Sequence, residues 1–177
     1  MEIAAELQSL VQAALEKYAA QTGKQPKQVV FFRDGVGNSQ KVALLNEEKT
    51  QLDNALGKIP YALIMVNKRI KTKIFHEEGG KLHNPKAGLV VDNAITPVQL
   101  RDFYLISASA RQGTPTPSHY SVLHDSTELG MQVLEALTYK LCYLYFNYSG
   151  PVKIPAPVKL ADRLANVIGE REGQKRG

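Results

Sequence analysis

The chain has 177 residues, of which 44% are hydrophobic and 22% are charged, a balance typical of a globular domain that buries a core. Its 22 Lys and Arg against 17 Asp and Glu give a net charge of +5, which favours an acidic partner such as nucleic acid if the cations cluster. No apolar run approaches the roughly 20 residues of a membrane span, and the N-terminal residues lack a secretory signal. We therefore expect a soluble protein of the cytoplasm or, alternatively, the nucleus, without a membrane partner.

Helices and strands alternate in the first part of the chain. Apolar residues at helical spacing predict an amphipathic helix over 2–21 and a weaker one over 39–57. Continuous apolar runs predict buried strands at 28–32 and 61–66. Because the first helix starts almost at the first residue, we expect that a strand and turn which would ordinarily precede it are missing. The alternation predicts an α/β sheet with crossover connections.

The first predicted strand runs into Arg33-Asp34-Gly35 and then a Gly-Asn-Ser turn. In open α/β sheets the chemistry usually lies just beyond the carboxyl ends of the strands, so Asp34 stands where a functional carboxylate is expected. Asp-Gly is also a common turn dipeptide, and this segment alone leaves the two interpretations equally open. The following GVGNSQ is not a dinucleotide fingerprint, because its third glycine position is Gln40.

The second predicted strand continues into a run of cations, NKRIKTKIF over 67–75. If the segment stays extended, one face carries Arg69, Lys71 and Lys73, and Lys68 precedes them. Such a run is usually only a solvated face. It would nevertheless rise near the same sheet edge as Asp34, which favours nucleic acid.

The second half of the chain is predicted to hold more strands and two helices. Residues 77–88 are predicted to form a flexible loop, followed by a short strand in LVVDN and strands at 102–109 and 119–124. Asp125-Ser126-Thr127-Glu128 is the predicted cap of a helix. Its apolar face comprises Leu134, Leu137, Leu141 and Leu144.

The sequence gives little support to cysteine or zinc chemistry. Cys142 is the single cysteine and lies among apolar helical residues, which favours a buried structural thiol over a nucleophile. The histidines His83, His119 and His124 lack zinc-ligand spacing, so we predict no structural zinc.

A proline-rich segment near the C-terminus leads into a helix that Pro157 is suited to start. Asp162 lies beside its predicted apolar stripe. From the residues alone, Asp162 is more readily a partner of the helix dipole than a catalytic acid. The stripe consists of Leu160, Ala161, Leu164 and Ile168.

Six segments in series resemble the C-terminal part of the PIWI domain of Argonaute and Piwi proteins. They are FFRDGVGNSQ, VNKRIKTKIF, NPKAGLVVDNAIT, DFYLISASARQGTPTPSHYSVLHD, LTYKLCYLY and KIPAPVKLAD. The resemblance covers nearly the whole chain and is closer to the Piwi branch in the Phe-Arg-Asp-Gly-Val-Gly turn and the Tyr-Lys-Leu-Cys helix. It implies a ribonuclease H-like mixed sheet flanked by helices, incomplete at its N-terminal side, with residues 1–177 forming one partial PIWI domain.

The resemblance also implies guided cleavage of target RNA through two divalent ions, Mg²⁺ or Mn²⁺, during gene silencing. On matching motif positions, Asp34 is the second acid of the family's catalytic set, Glu2 the glutamate finger and Asp162 the fourth member. Asp34 and Asp162 would be metal ligands. Carboxylates that place two ions roughly 3.5 to 4 Å apart let them activate water and stabilise the leaving oxygen. The first acid is expected upstream of Met1, so residues 1–177 alone should be inactive.

By the same resemblance, several cations inherit contacts to the guide backbone. Phosphate contacts position the strand, and guide pairing would read the target sequence. The implied partners are a small guide RNA, a complementary target RNA, and the rest of the Argonaute or Piwi chain with its MID domain and the N-terminal part of PIWI. The inherited positions are Lys68, Arg69, Lys71, Lys153 and Lys159.

Two departures and two alternatives accompany this interpretation. An Arg of animal Argonautes falls at Val167 here, and the chain runs on through EREGQKRG, so recognition of the guide's 5′ end is not implied. One alternative is a PIWI module that binds guide and target but silences by recruiting partners without cutting. The other is an unrelated α/β nucleotide-binding protein, which would need a phosphate loop that this sequence lacks. The three acids favour cutting.

Overall fold

The computed structural model describes residues 2–35, 41–96 and 101–175, with side chains described for all of these except 2–5, 41–45 and 170–175. The predicted turn in GVGNSQ therefore lies largely outside the described residues. The chain divides into two compact units. The first comprises Met1–Phe31, Val36–Leu63 and His124–Glu128, and the second comprises Phe32–Gly35, Ile64–Leu123 and Leu129–Gly177. Within the described ranges, no helix has the length and apolar character needed to cross a bilayer.

Four helices and seven strands are described. The helices are α1 (Glu2–Thr22), α2 (Lys41–Leu56), α3 (Met131–Leu141) and α4 (Ala156–Lys175). The strands are β1 (Val29–Asp34), β2 (Tyr61–Asn67), β3 (His76–Glu78), β4 (Lys81–His83), β5 (Leu89–Val91), β6 (Asp102–Ile106) and β7 (Ser118–Asp125). Five strands form one mixed sheet in the order β1-β2-β7-β6-β5, and β3 pairs with β4. The predicted mixed sheet flanked by helices is confirmed.

The first unit is held by helix packing and by Tyr61. Val11 of α1 and Leu52 and Leu56 of α2 are buried, as expected for the apolar faces of amphipathic helices. Tyr61 is also buried, and its hydroxyl donates a 2.7 Å hydrogen bond to Asp53 Oδ1. Burial and this carboxylate raise the pKa of the Tyr61 phenol, so the hydroxyl stays a donor at neutral pH.

The second unit has an apolar centre in which β2, β6, β7 and α3 each contribute side chains. The rings of Phe103 and Tyr120 stack with centroids 4.8 Å apart, and Leu134 is also fully buried. Cys142 is buried, and burial raises the pKa of its thiol to about 11. The predicted burial of Cys142 is confirmed, and a buried thiol that stays protonated near neutral pH is a weak nucleophile.

The predicted loop over 77–88 is wrong in its first half, because β3 and β4 form a hairpin there. His76 pairs with His83, and Glu78 with Lys81. The connecting Gly79 and Gly80 have φ of 59° and 74°. Two consecutive positive φ values are what a tight two-residue hairpin turn requires, and glycine adopts them without steric cost.

The predicted start of one helix in the second half needs correction, and the apolar stripe of the other is not covered by the described residues. The helix α3 begins at Met131 after Gly130 rather than at the predicted cap, and Asp125 instead accepts a 2.9 Å hydrogen bond from the Thr127 backbone N–H. That two-residue spacing makes a local turn. The predicted stripe of α4 is exposed, with Leu164 61% and Ile168 48% accessible. Among the described residues nothing buries these two side chains.

The predicted burial of β1 on both faces is also wrong. Its residues are half-buried and Asp34 is exposed, whereas β2 is buried from Tyr61 to Val66. The difference follows from position, because β1 is the end strand of the described sheet and β2 lies inside it. An apolar run thus identified both strands without distinguishing an inner strand from an outer one.

Candidate functional site

Asp34 is the last residue of β1, and its side chain is 51% exposed. The next residue contacts the neighbouring strand, since the Gly35 backbone N–H donates a 2.9 Å hydrogen bond to Val66 O of β2, and this N–H also lies 2.9 Å from Asp34 Oδ1. Arg33 Nη1 donates to the Asp34 carbonyl. The sequence left a turn role and a site role for Asp34 equally open. The residues of the predicted turn lie largely outside the described part of the chain, and Asp34 Oδ2 takes no part in the contact to Gly35.

Asp162 lies in the second turn of α4. The start of that helix is anchored, because Ile154, Ala156 and Val158 are buried and the Lys159 N–H donates to Pro155 O at 3.1 Å. The proline before the helix cannot extend it backwards, so the helix begins at a defined place. Asp162 is therefore presented by a fixed element, although its side chain remains 36% exposed.

Lys68 brings these two acids together. Its Nζ lies 2.8 Å from Asp34 Oδ2, and 3.0 and 2.8 Å from the two carboxylate oxygens of Asp162. The three residues come from the end of β1, the segment after β2 and the helix α4, and all belong to the second unit. Two carboxylates that are far apart in sequence thus converge on one positive charge.

The electrostatics of Lys68 follow from this arrangement. Partial burial lowers the pKa of the Lys68 ammonium, but hydrogen bonds to Asp162 and Asp34, together with their charges, outweigh it and raise the pKa above 10.5. Lys68 is consequently charged throughout the neutral range. The sequence assigned it to nucleic-acid contacts, whereas here its ammonium faces the acids.

The same place suits a hard divalent cation. Mg²⁺ and Mn²⁺ prefer oxygen ligands, and Mg²⁺ is commonly held by one or two carboxylates with water completing its shell. Asp34 and Asp162 supply such oxygens within 3 Å of one cationic atom, the Lys68 Nζ. No cluster of three or more His, Cys, Asp or Glu suited to a metal occurs among the described residues. The side chain of Glu2, the third predicted acid, lies outside them.

A second polar network, which the sequence did not reveal, adjoins this pair. His119 Nε2 lies 3.0 Å from Asp102 Oδ2, its Nδ1 lies 3.3 Å from Asn67 Nδ2, and the ring stacks on Tyr104. Asn67 in turn lies against the backbone of Gly35, where a Cβ would be 2.1 Å from its Oδ1. The buried carboxylate of Asp102 thus holds His119 in place. His119 in turn holds Asn67, which packs against Gly35 beside Asp34.

Only the register between strands β6 and β7 indicates that these residues meet. Tyr104 lies opposite His119, and Asp102 lies opposite Ser121. Asp102 and His119 are therefore diagonal neighbours on one face, a relationship that brings long polar side chains within reach. Without the strand register, the sequence offers no reason to join them.

The basic segment, residues 68–73, continues β2 without belonging to a strand. Exposure alternates along it as predicted, with Arg69, Lys71 and Lys73 exposed and Ile70 and Thr72 partly buried. The predicted division into an exposed cationic face and a partly buried face is thus confirmed for these side chains. One face of the segment presents a row of positive charge to solvent.

Lys153 lies close to this segment. Its Nζ donates a 2.9 Å hydrogen bond to the Lys68 carbonyl, and Lys73 Nζ donates to Thr116 Oγ1 at 2.6 Å. Partial burial and the charge of Lys73 lower the pKa of Lys153. The fifth predicted cation, Lys159, is exposed on α4. The positive charges of Lys73 and Lys153 together make the potential of this part of the surface favourable for an anion.

Comparison with known proteins shows which family this chain resembles. Residues 1–172 match the Piwi domain family. The chain is 42% identical over 170 residues to Protein argonaute-3 of Drosophila melanogaster and 36% identical over 174 residues to Piwi-like protein 3 of Homo sapiens. Each alignment covers 96% of this chain and 20% of the relative, so the chain spans about a fifth of their length.

Solved structures agree with the sequence comparison. The crystal structure of Drosophila Piwi is 35% identical, with a TM-score of 0.75 over 91% of this chain and 23% of that one. A Kluyveromyces polysporus Argonaute crystallised with a guide RNA is 28% identical, with a TM-score of 0.74 over 89% of this chain and 22% of that one. The fold is that of the ribonuclease H-like PIWI lobe. The chain belongs to the Piwi domain family of Argonaute and Piwi proteins.

Proposed function

We propose that this chain forms part of a guided endoribonuclease, which holds a small guide RNA paired to a target RNA and cuts the target with Mg²⁺ or Mn²⁺. In this proposal residues 1–177 are one part of a PIWI domain, and the rest of the Argonaute or Piwi chain supplies the remainder of the site. The protein would act in RNA-guided gene silencing, in the cytoplasm or the nucleus.

One observation carries the proposal: the carboxylates of Asp34 and Asp162 converge within 2.8 Å of a single cationic atom. Two acids repel each other unless a positive charge lies between them, and here Lys68 supplies that charge. Phosphodiester cleavage gives the arrangement a use. When bound, a divalent ion supplies charge neutralisation and an activated water.

The chain's own residues would then divide the work. Asp34 and Asp162 would hold the cation, and the anchored start of α4 would keep Asp162 at a fixed distance from β1. The pair formed by Asp102 and His119 would orient Asn67 against Gly35 and so limit the movement of Asp34. Such positioning matters because misplacement by about 1 Å can cost a hundredfold in rate.

The exposed cations would hold the nucleic-acid backbone. Arg69 and Lys71 are exposed along the basic segment, and the charge of Lys73 contributes to the lowered pKa of the nearby Lys153. Phosphate oxygens are the anions that such lysines and arginines bind without reading sequence. We therefore assign these four residues, with the exposed Lys159, to the guide or target backbone.

A non-cleaving module that binds guide and target and recruits partners is the second candidate. It is favoured by the absence, among the described residues, of a third acidic or histidine ligand beside Asp34 and Asp162. Two carboxylates alone bind divalent ions weakly. The two candidates differ in one measurable property, which is whether charge at Asp162 is needed for cleavage.

The deciding experiment is Asp162→Asn in the full-length protein. The substitution keeps the size of the side chain but removes the charge that would attract the ion. We expect single-turnover cleavage of a guide-matched target to fall by several orders of magnitude, equivalent to roughly 3 to 5 kcal/mol in the barrier. Affinity for guide and target, measured by filter binding, should change by less than about 1 kcal/mol.

Three further variants make the result specific. Asp34→Asn should match Asp162→Asn, and the double variant should be little worse than either, because the two acids act as one unit. The control Asp53→Asn also removes a carboxylate paired with a lysine, Lys49, at 2.6 Å, but should leave cleavage unchanged. Unchanged cleavage in Asp162→Asn, with Asp34→Asn inactive, would contradict the role of Asp162 and make His119 the next residue to test.

A further inference from the structure

The ammonium of Lys68 is fully used by the two acids. It has three N–H donors, and it makes three contacts of 2.8 to 3.0 Å, one to Asp34 and two to Asp162. The Lys68 side chain is 25% exposed. The ammonium therefore occupies the point where a cation held by both carboxylates would lie.

The charges of this cluster do not balance. Two carboxylates and one ammonium leave a net charge of −1, whereas a divalent cation in place of the ammonium would bring the pair to neutrality. The divalent ion has the stronger Coulomb attraction. Lys68, however, is attached to the same chain and faces the acids at a high effective concentration. The two cations thus compete for one position.

We propose that Lys68 is an internal cation that holds Asp34 and Asp162 together without metal, and that a divalent ion binds this pair by displacing the Lys68 ammonium. The inference rests on the proposed function, because it takes the acid pair to be the cation site. The inference adds one step to the proposed function, because binding of the metal releases the charged side chain of Lys68 beside the site.

The surroundings of Lys68 allow this exchange. Its carbonyl accepts a 2.9 Å hydrogen bond from Lys153 Nζ, which holds the main chain in place. The side chain has a flexible four-carbon stem and lies next to solvent, so it can move while the backbone stays. The released ammonium would then be free to bind an anion at the same place, of which a phosphate ester is the obvious example.

The first test measures affinity for Mn²⁺ alone by electron paramagnetic resonance, without nucleic acid. Lys68→Met keeps most of the stem and removes the competing charge. We expect the full-length Lys68→Met protein to bind Mn²⁺ at least about threefold more tightly than the wild type, since a salt bridge no longer has to be broken. The control Lys81→Met removes a cation on the exposed β4 and should change the affinity less than twofold. Unchanged or weaker binding in Lys68→Met would overturn the proposal.

The second test needs no substitution, so it does not depend on whether a variant folds. Lysine acetylation of the wild-type protein, followed by mass spectrometry, should increase at Lys68 when Mn²⁺ is added, because the displaced amine becomes accessible. Acetylation at Lys81 in the same sample should not change. A Lys68 that is equally protected with and without bound Mn²⁺ would overturn the proposal.

A third test, Mn²⁺ binding by two acid variants, separates this inference from the proposed function. Asp34→Asn and Asp162→Asn should each weaken Mn²⁺ binding at least about tenfold. If they do and Lys68→Met binds no more tightly than the wild type, displacement is wrong while the metal site stands. If neither weakens binding, the acid pair is not the metal site, and the proposed function fails together with the inference.

Discussion

Two regions of the second unit differ in what holds them together. In its apolar centre, Phe103, Tyr120 and Leu134 are all 0% exposed. In the charged cluster, Asp34, Lys68 and Asp162 retain 51%, 25% and 36% of their side-chain exposure. Burial of a large side chain contributes about 1.5 to 3 kcal/mol, whereas an exposed ion pair contributes about 0 to 1 kcal/mol. The first region should therefore determine stability and the second should determine function.

The largest expected loss of stability comes from a substitution in the apolar centre. Phe103→Ala should lower the free energy of unfolding by about 3 to 5 kcal/mol, because it removes a fully buried ring that stacks on Tyr120 and leaves a cavity. Urea denaturation followed by circular dichroism measures the change. Phe146→Ala is the matched control, since that ring is 74% exposed and its removal should cost less than about 0.5 kcal/mol. Similar losses in both variants would remove the distinction between buried and exposed groups.

The substitution Gly35→Ala tests a position where tight packing adjoins the charged cluster, so it should affect both stability and metal binding. A Cβ there would lie 2.1 Å from Asn67 Oδ1 and 3.1 Å from Val66 O, so the strand end and Asn67 would have to move. We expect a loss of about 1 to 3 kcal/mol in unfolding free energy together with weaker Mn²⁺ binding, because Asp34 is the preceding residue.

Two controls belong to that experiment. Gly35→Ala combined with Asn67→Ala should recover part of the stability, because the second substitution removes the side chain that the new Cβ would meet. Gly169→Ala, in α4 with nothing within 4 Å of its Cβ position, should be neutral or stabilising by up to about 1 kcal/mol. If Gly35→Ala behaved like Gly169→Ala, the tight packing of Asn67 on Gly35 would be contradicted.

The same contrast explains which features the sequence could reveal. The strand β2 was predicted within one residue, because a strand buried on both faces must be a continuous apolar run. The partners of Lys68 could not be predicted from a local pattern, since Asp162 is 94 positions away and only the fold brings the two together. The phosphate contacts predicted for Lys68 came from the family resemblance, since a charge run alone is usually a solvated face. Family motifs, in turn, identified Asp34 and Asp162 as acids of interest but gave no indication of the cation between them.

Other errors have equally local causes. Gly79 and Gly80 suggested a flexible loop, but their two positive φ values instead close a hairpin. The helix α4 carries an apolar stripe at the predicted spacing, yet Leu164 and Ile168 are exposed. Periodicity predicts which face of a helix is apolar and says nothing about whether anything covers it.

Removing cations from the basic segment should have an intermediate effect, on nucleic-acid affinity. Replacing Arg69 and Lys71 by Ala should weaken nucleic-acid binding about tenfold for all sequences alike and reduce the salt slope by about 1 for each phosphate that is no longer neutralised. Filter binding across a salt series measures both quantities. The control replaces Lys81 and Lys86 by Ala, which removes the same charge from outside the segment. A decrease in affinity that depended on sequence, or one equal to that of the control, would count against binding of the phosphate backbone by this segment.

The smallest expected effect is the stability of Lys68→Met, although the substitution breaks contacts to two acids. Solvent screens the pair, so we expect the free energy of unfolding to change by less than about 1 kcal/mol. The pKa of Lys68 is raised above 10.5 in the folded chain, so its contribution is present below 10.5 and is lost only as the pH rises through the folded value. The difference between variant and wild type should therefore be constant from about pH 6 to about pH 9, measured by urea denaturation at several pH values. A loss above about 3 kcal/mol would mean that the cluster behaves as a buried ion pair, and stability and metal competition could then no longer be assigned to separate regions.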